Sequence, residues 1–410
     1  MKYHEDTMQF FASAREAYKH RMVRRHVRQL LFFKGTQRKP RRMWKRNRSQ
    51  EWWEVIVPGF DDSQWLENFR VKKETFDFIC ASLRDVLAPN ENQVVSNHAL
   101  SVEKIVAIAL YKLAHVAEYK VIGNQFGVHK STVHNCVYAF CQAITDVLAS
   151  KYIFMPDKDE AREIADRFEA KTHVPQMIGA IDGSHIPITA PEEGHADFVN
   201  RKGGVSLILQ AVVDDQYIFR DISCKCVGGC HDADALRASE LYRNIDTKMP
   251  KGVKNVDGMD IPFFIAGDPA YPLQSWLLKA FNYNRNILPE MDSFNVYFNS
   301  GRVVVENAFG RLKGRWRILL KRTEIHHTFV PTMVAACCIL HNICEMSRDT
   351  FNSKWLDYID EAEADCEQLD QEIFDRDDEP EADDIRTHLS TYLARNFELR
   401  QSIRGRYAVE

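Results

Sequence analysis

The sequence predicts an α/β protein in which an all-helical region precedes a domain built on a mixed sheet flanked by helices. Three observations predict this class: helical periodicity over 101–144, three strand-like apolar runs between 177 and 227, and a fourth run at 262–268 followed by a helical pattern at 302–321. Strands followed by helices in this order are typical of an α/β layered domain.

Composition and pattern divide the chain into four regions. They are a basic N-terminal arm (1–50), a helical region (51–150), an α/β domain (170–347) and an acidic C-terminal tail with a possible final helix near 384–404 (348–410).

The charge is distributed unevenly although the net charge is only −4. Residues 15–48 are densely basic, whereas 355–384 hold fifteen Asp or Glu against Arg376 alone. A basic arm is typical of nucleic-acid contact or nuclear import, and solvated flexible charge is the alternative for both tails. No apolar run approaches the roughly 20 residues that span a bilayer, and the N-terminus lacks a secretory signal. We therefore expect a nuclear protein that also occurs in the cytoplasm.

The helical region contains a helix-turn-helix pattern. An amphipathic helix at about 102–115 precedes a short one at about 118–125, and a turn at Phe126-Gly127-Val128 leads to a third helix beginning near Lys130. The second helix of such a motif offers its first residues to the DNA major groove. Simple bundle packing is the alternative. The outward-facing candidates for DNA contact are Lys130, Ser131, Thr132, His134 and Asn135.

The α/β domain begins with three strand candidates, at 177–190, 205–214 and 216–227. The last two are separated by Asp214-Asp215 and should form a hairpin. A helix at 231–245 and the strand at 262–268 follow, an order that is also found in RNase H-like folds.

Asp182 stands at the centre of the apolar run MIGAIDGSHIPI. A lone buried charge costs several kcal/mol unless something compensates it. Two interpretations remain open: Asp-Gly marks a hairpin turn that carries the side chain to water, or the site holds cations.

Asp268 closes the fourth strand, where open α/β sheets place their sites, and Glu306 lies in the following helix. On that helix one stripe is apolar, and Glu306 shares another face with Gly310, Lys313 and Arg317. The apolar stripe consists of Val305, Phe309, Leu312, Trp316 and Leu319. Three carboxylates projected from separate elements can hold Mg²⁺, and two such ions about 4 Å apart support phosphodiester cleavage.

A family resemblance rests on three ordered motifs: GAIDGSHIPI, AGDPAYPLQSWLL and VVVENAFGRLKGRWRIL. With CCILHNIC at 337–344, these resemble the PIF/Harbinger-type DDE transposase superfamily, including its vertebrate transposase-derived nuclease and ALP1-like branches. The resemblance implies an RNase H-like DDE nuclease, Mg²⁺ or Mn²⁺ as cofactor, and a catalytic and metal-binding triad of Asp182, Asp268 and Glu306. It also implies a separate Myb-like or SANT-type DNA-binding partner. Two departures, Ala270 before Tyr-Pro and Asn307 after the Glu, remove no predicted ligand.

Other residues carry weaker predictions. His185 and His231 either orient a water or phosphate or simply pack, while Lys313, Arg315 and Arg317 are candidates for DNA phosphate contact. Trp316 is expected in the core.

The predicted function is that of a metal-dependent DNA endonuclease of transposase origin, and transposase activity is compatible with it. The rival is a DNA- or chromatin-binding protein that does not cut. A third reading treats CKCVGGCH at 224–231 as a zinc-dependent interaction module, although paired ligands downstream are missing. A homo-oligomer is compatible with all three.

Overall fold

A computed structural model of the chain describes most residues after the basic arm. The described residues are 48–89, 99–192, 194–283, 287–357, 359 and 378–402. The chain divides into two units at residues 49 and 50, and the elements below belong to the second unit, 50–410. The predicted basic arm, except its last residues, and much of the predicted acidic tail lie outside the described residues. Among the described helices, none is long and apolar enough to cross a membrane.

The first half of the second unit is helical where it is described. Its helices are α1 (Asp62–Phe69), α2 (Lys73–Leu87), α3 (Val102–Ala114), α4 (Tyr119–Gln125), α5 (Lys130–Tyr152) and α6 (Lys158–Thr172). The side chains of Ser101 and Asp157 accept backbone N–H groups at the starts of α3 and α6, which fixes where these helices begin. Helices α3, α4 and α5 lie close to the bounds that the sequence predicts.

A five-stranded mixed sheet forms the centre of the second half. Its strands are β1 (Met177–Pro187), β2 (Ser206–Val213), β3 (Phe219–Val227), β6 (Phe264–Gly267) and β7 (Leu277–Lys279), in the order β3-β2-β1-β6-β7. The first three strands pair antiparallel, and β2 and β3 form the predicted hairpin, whereas β6 and β7 run parallel to β1. A separate hairpin of β4 (Val253–Val256) and β5 (Met259–Pro262) and strand β7 were not predicted.

The remaining described helices are α7 (Asp232–Ala238), α8 (Glu240–Arg243), α9 (Ile245–Lys248), α10 (Pro289–Arg315), α11 (Val330–Met346) and α12 (Pro380–Asn396). The single helix predicted at 231–245 is wrong, because Ser239 ends α7 and its hydroxyl caps α8 by accepting the Tyr242 N–H. The predicted helix 302–321 also has the wrong bounds. It begins at Pro289, a residue suited to a first helical turn, and ends at Arg315.

Helices flank the sheet and share its core. Helices α6 and α10 pack on β1, and α11 packs on α5 and β3. One continuous hydrophobic cluster joins the helical half to the sheet, with Phe140, Ile181 and Leu340 among its fully buried members. The apolar stripe predicted on α10, including Trp316 just beyond its end, is buried in this cluster.

His341 makes stability depend on pH. It is fully buried, and its Nε2 donates to the Tyr217 carbonyl oxygen at 2.9 Å. Burial lowers its pKa from 6.5 to about 4. As pH falls, His341 takes up a proton in the unfolded chain before it does so in the folded chain. The contribution of His341 to the free energy of unfolding is therefore fully present above pH 6.5 and is lost as pH falls towards 4. We expect a loss of about 3 kcal/mol in the free energy of unfolding.

Urea unfolding at pH 7, 5.5 and 4 tests this expectation. His341→Gln should be less stable at pH 7 but should show a shallower pH dependence than the wild type. The exposed His195→Gln should keep the wild-type profile. Equal slopes for wild type and His341→Gln would contradict the assignment.

Candidate active site

Asp182 lies in the middle of β1, where that strand passes from the core to a partly open surface. Residues 177–181 are buried, whereas 182–184 are partly exposed. Asp182 pairs with Ala211 of β2, so the Asp-Gly hairpin interpretation is wrong. Its Oδ1 accepts the Gly183 backbone N–H at 2.7 Å, and 17% of its side chain is exposed.

Asp268 follows β6 immediately and lies at the same level of the sheet as Asp182. Strands β1 and β6 run parallel with Ala180 opposite Ala266, and each acid stands two residues further along its chain. Residues two apart in a strand share a face, so this register brings the two acids side by side. Asp268 is 1% exposed, and its Oδ1 accepts the Ala270 N–H at 3.0 Å. Its Oδ2 is buried and has no hydrogen-bond partner among the described residues.

Burial and neighbouring carboxylates raise the free energy of the charged form of both aspartates. Burial, followed by the charge of Asp268, raises the pKa of Asp182 to about 8. Burial, followed by the charge of Asp232, raises the pKa of Asp268 to about 6. Both effects oppose ionisation, and a bound cation would offset them.

Glu306 reaches the site through Arg302, one helical turn earlier on α10. The Arg302 guanidinium contacts the Glu306 carboxylate and lies with Nη1 3.7 Å from Asp182 Oδ2. The charge of Glu306 also acts on Asp268. Glu306 is nonetheless 47% exposed, whereas Asp268 is buried. The three predicted acids therefore lie at one place, with an arginine between two of them.

Two polar residues beside the acids were not predicted. Gln210 of β2 and Tyr271, which follows Asp268, are both buried. Gln210 Nε2 donates to the Tyr271 hydroxyl at 3.1 Å and to the Asp232 carbonyl oxygen at 3.3 Å. These contacts join β2, the segment after β6 and the start of α7 around the carboxylates. The only sequence signal was the polar Gln210 within an apolar strand.

The donor atoms suit a hard divalent cation, which prefers carboxylate oxygens. The buried, unpartnered Asp268 Oδ2 is an oxygen that such a cation would satisfy. In the part of the chain that the structure describes, no three His, Cys, Asp or Glu side chains are already arranged as a metal-binding group. Arg302 accounts for this at Glu306, because its guanidinium holds that carboxylate.

The residues predicted to contact DNA lie in two places. At the start of α5, Lys130, Ser131, His134 and Asn135 are exposed, and Thr132 is half-buried. His134 stacks on Tyr138 with ring centroids 4.1 Å apart.

On α10 only part of the predicted basic face exists. Lys313 is half-buried and near His185. Burial lowers the pKa of His185, and the positive charge of Lys313 lowers it further. Arg317 lies in a 3₁₀ turn beyond the end of α10, so it does not share the helical face of Glu306. Arg315 as a phosphate contact is wrong, because it is fully buried and donates to the Arg70 carbonyl oxygen at 2.6 Å.

The two weaker histidine candidates have different partners. His185 Nδ1 lies 3.0 Å from the Ser206 hydroxyl, and His231 Nδ1 lies 2.5 Å from Arg201 Nη2. Cys226, from the segment considered for zinc, packs with Ile208 and Ala235 in a small apolar cluster.

Comparison with known proteins agrees with this geometry. A family model described as a DDE superfamily endonuclease matches 181–342, the range that holds all three acids. Antagonist of like heterochromatin protein 1 from Arabidopsis thaliana is 31% identical over 72% of this chain and 78% of its own length. The chain belongs to the Harbinger-derived DDE nuclease superfamily.

Other members of this superfamily are also similar. The ALP1-like protein of Arabidopsis thaliana is 30% identical, over 72% of this chain and 75% of its own length. HARBI1 of Rattus norvegicus, whose name describes it as a candidate nuclease, is 27% identical over 57% of this chain and 64% of its own. A second family model, described as a domain of unknown function, matches 46–146. No solved structure matches the chain.

Proposed function

We propose that the protein is a metal-dependent DNA endonuclease of transposase origin, with an RNase H-like DDE domain. The observation that carries the proposal is the placement of Asp182 and Asp268, each two residues beyond a paired alanine of the parallel strands β1 and β6, with a buried, unpartnered oxygen on Asp268. Carboxyl ends of parallel strands are where open α/β sheets place their sites. Two carboxylates kept in a partly dry place are unfavourable for folding alone, which favours a functional reason for them.

Asp182 and Asp268 are the principal ligands for Mg²⁺ or Mn²⁺ in this proposal, and Glu306 is a third ligand or the local base. A bound divalent metal supplies charge stabilisation and a more acidic water during phosphodiester hydrolysis. Hydrolysis joins a water oxygen to phosphorus, breaks one P–O ester bond and leaves a proton to be taken up. Glu306 is the exposed carboxylate suited to accept that proton, once Arg302 no longer holds it.

The same proposal assigns DNA contact to the helix-turn-helix formed by α4, the turn at Gly127 and α5. Lys130, Ser131 and Asn135 offer exposed polar side chains at the start of α5, with half-buried Thr132 between them. Lys313 and Arg317 follow the site along the chain and would contact phosphates. A nuclear place of action and a Myb-like or SANT-type partner remain predictions from the family resemblance.

A second candidate function is DNA or chromatin binding without cleavage. The observation that favours it is Arg302, whose guanidinium contacts both Asp182 and Glu306 and offsets part of their negative charge without a metal. A relative's name, antagonist of like heterochromatin protein 1, points to chromatin. The two functions differ in whether a divalent metal binds the acids.

Thermal unfolding with and without Mn²⁺ separates these candidates. We expect Mn²⁺ at 100 times its Kd to stabilise the wild type by about 2.7 kcal/mol, because a ligand that binds only the folded state stabilises it. Asp182→Asn should lose this effect. The exposed Asp85→Asn on α2 should retain it.

Two results would count against the endonuclease. An equal Mn²⁺ shift in Asp182→Asn would show that the metal binds elsewhere. No shift in the wild type would favour binding without cleavage.

A further inference from the structure

We propose that Cys226 and Cys230 are a redox-active pair, which hydrogen peroxide oxidises to a reversible disulfide. Cys226 lies near the end of β3, and Cys230 follows that strand in the turn that leads to α7. This chemistry needs neither a metal nor DNA, so it is independent of the proposed nuclease function.

A tight turn brings the chain back to the side of Cys226. The Cys230 N–H donates to the Val227 carbonyl oxygen at 3.0 Å, and the Gly228 N–H donates to the Ser206 carbonyl oxygen at 2.8 Å. A Cβ added to Gly228 would overlap the Ser206 side chain and stand 3.0 Å from its carbonyl oxygen, so a larger residue does not fit. The turn is therefore held against β2, and its geometry fixes where Cys230 lies.

The two thiols are in contact. Their side chains are hydrogen-bonded to each other. Cys226 packs with Ile208 and Ala235, and Cys230 packs against the same small cluster. Cysteines whose side chains face each other across a short turn can be joined without a large backbone movement, whereas cysteines that point apart cannot.

Exposure shows which sulfur an oxidant reaches first. Among the described cysteines, Cys224 and Cys230 are half-buried and the others are buried. The hydrogen bond between the pair lowers the pKa of Cys230 and raises that of Cys226, so Cys230 forms a thiolate more readily. Burial raises the pKa of Cys224 to about 12, which keeps that thiol protonated. Cys230 is therefore the sulfur that is attacked, and Cys226 is the thiol that resolves it.

The oxidation has two balanced steps. The Cys230 thiolate attacks one peroxide oxygen, the O–O bond breaks, a sulfenic acid forms and the departing hydroxide takes up a proton to leave as water. The Cys226 thiol then attacks the Cys230 sulfur, the S–O bond breaks, the S–S bond forms and a second water leaves. Two electrons pass from the two sulfurs to the peroxide. A small thiol such as glutathione reverses the bond by exchange, and two of its molecules become a disulfide in turn.

Thiol mapping of the full chain by mass spectrometry tests the proposal. The reduced protein is treated with hydrogen peroxide, its remaining thiols are blocked with iodoacetamide, and trypsin digestion follows without reductant. Trypsin cleaves after Lys225 and Arg237, so one peptide holds both Cys226 and Cys230 while Cys224 lies in the preceding peptide. We expect the peptide 226–237 to lose the mass of two hydrogen atoms and to escape alkylation. Glutathione should restore its alkylation.

Three variants assign the roles of the sulfurs. In Cys226→Ser the resolving thiol is missing, so Cys230 should accumulate as a sulfenic acid that dimedone labels. In Cys230→Ser the buried Cys226 should stay reduced. Cys224→Ser is the matched control from the same strand, and its peptide 226–237 should form the disulfide as the wild type does. Near-ultraviolet circular dichroism checks that each variant is folded.

Three results would overturn the pair. The first is full alkylation of both cysteines after peroxide, and the second is a disulfide from either of them to Cys224. The third is formation of the 226–237 disulfide at an equal rate in urea-unfolded protein, because closeness along the chain would then explain it without the fold. Each of these readings uses the wild-type chain, so none depends on a variant that fails to fold.

Discussion

Asp268→Asn is expected to abolish Mg²⁺-dependent DNA cleavage. The variant keeps the shape of the side chain but removes the charge of the most buried acid in the site. A loss of at least about 10³-fold in rate corresponds to about 4 kcal/mol of transition-state stabilisation. Nicking of supercoiled plasmid DNA by purified protein, with Mg²⁺ or with chelator, measures it. Asp85→Asn, at an exposed position on α2, is the control.

The same substitution is expected to stabilise the metal-free protein. Because the pKa of Asp268 is raised to about 6, the unfolded chain releases this proton first as pH rises. The free energy of unfolding of the wild type therefore falls between about pH 4 and pH 6 and stays lower above pH 6. The amide of Asp268→Asn does not titrate and has no such dependence. Asp268→Asn should be more stable than the wild type at pH 8 without metal, and the difference should shrink towards pH 4.

These two readouts together distinguish a catalytic acid from a structural one. If the role of Asp268 were structural, Asp268→Asn would have a lower free energy of unfolding than the wild type, and cleavage would fall only because the variant unfolds. If Asp268→Asn is instead more stable and inactive, activity requires a carboxylate that is unfavourable for folding. Wild-type cleavage by Asp268→Asn would refute the role assigned to this residue.

Asp182 and Asp268 could be singled out from the sequence because each interrupts a clear apolar pattern. Asp182 breaks a strand-like run and Asp268 ends one, and such interruptions are visible without any structure. The hairpin of β2 and β3 also followed from the short polar turn at Asp214-Asp215 between them. The parallel pairing of β6 with β1, which makes the two acids neighbours, depends on long-range contacts that no local pattern records.

Arg302 was missed for a local reason. The predicted helical face of Glu306 includes Gly310 and Lys313, which lie on its C-terminal side. Arg302 lies four residues earlier, where i,i+4 spacing predicts an ion pair. Asp232 begins α7, and its approach to Gly183 is tertiary and has no sequence signal. The three short helices after it replaced the predicted single helix because Ser239 caps a new start.

Asn342→Leu is expected to destabilise the fold more than any exposed substitution. Asn342 lies in the CCILHNIC motif on α11 and is fully buried. Its Oδ1 accepts the Phe219 N–H at 2.9 Å, and its Nδ2 donates to the carbonyl oxygens of Phe219 and Tyr152 at 2.8 and 2.7 Å. Leucine has a similar volume but would leave three buried backbone groups without partners, at a cost of roughly 3–5 kcal/mol.

Urea unfolding at pH 7 measures this cost, with Asn307→Leu at an exposed position of α10 as the matched control. The hydrogen bonds of Asn342 connect β3 to α11 and to the end of α5. Strand β3 is the edge of the sheet in which β1 and β6 position Asp182 and Asp268. The motif would then be part of the scaffold of the nuclease domain, although it helped to reveal the family. A cost below about 1 kcal/mol would mean that water replaces these hydrogen bonds, and the motif would need another explanation.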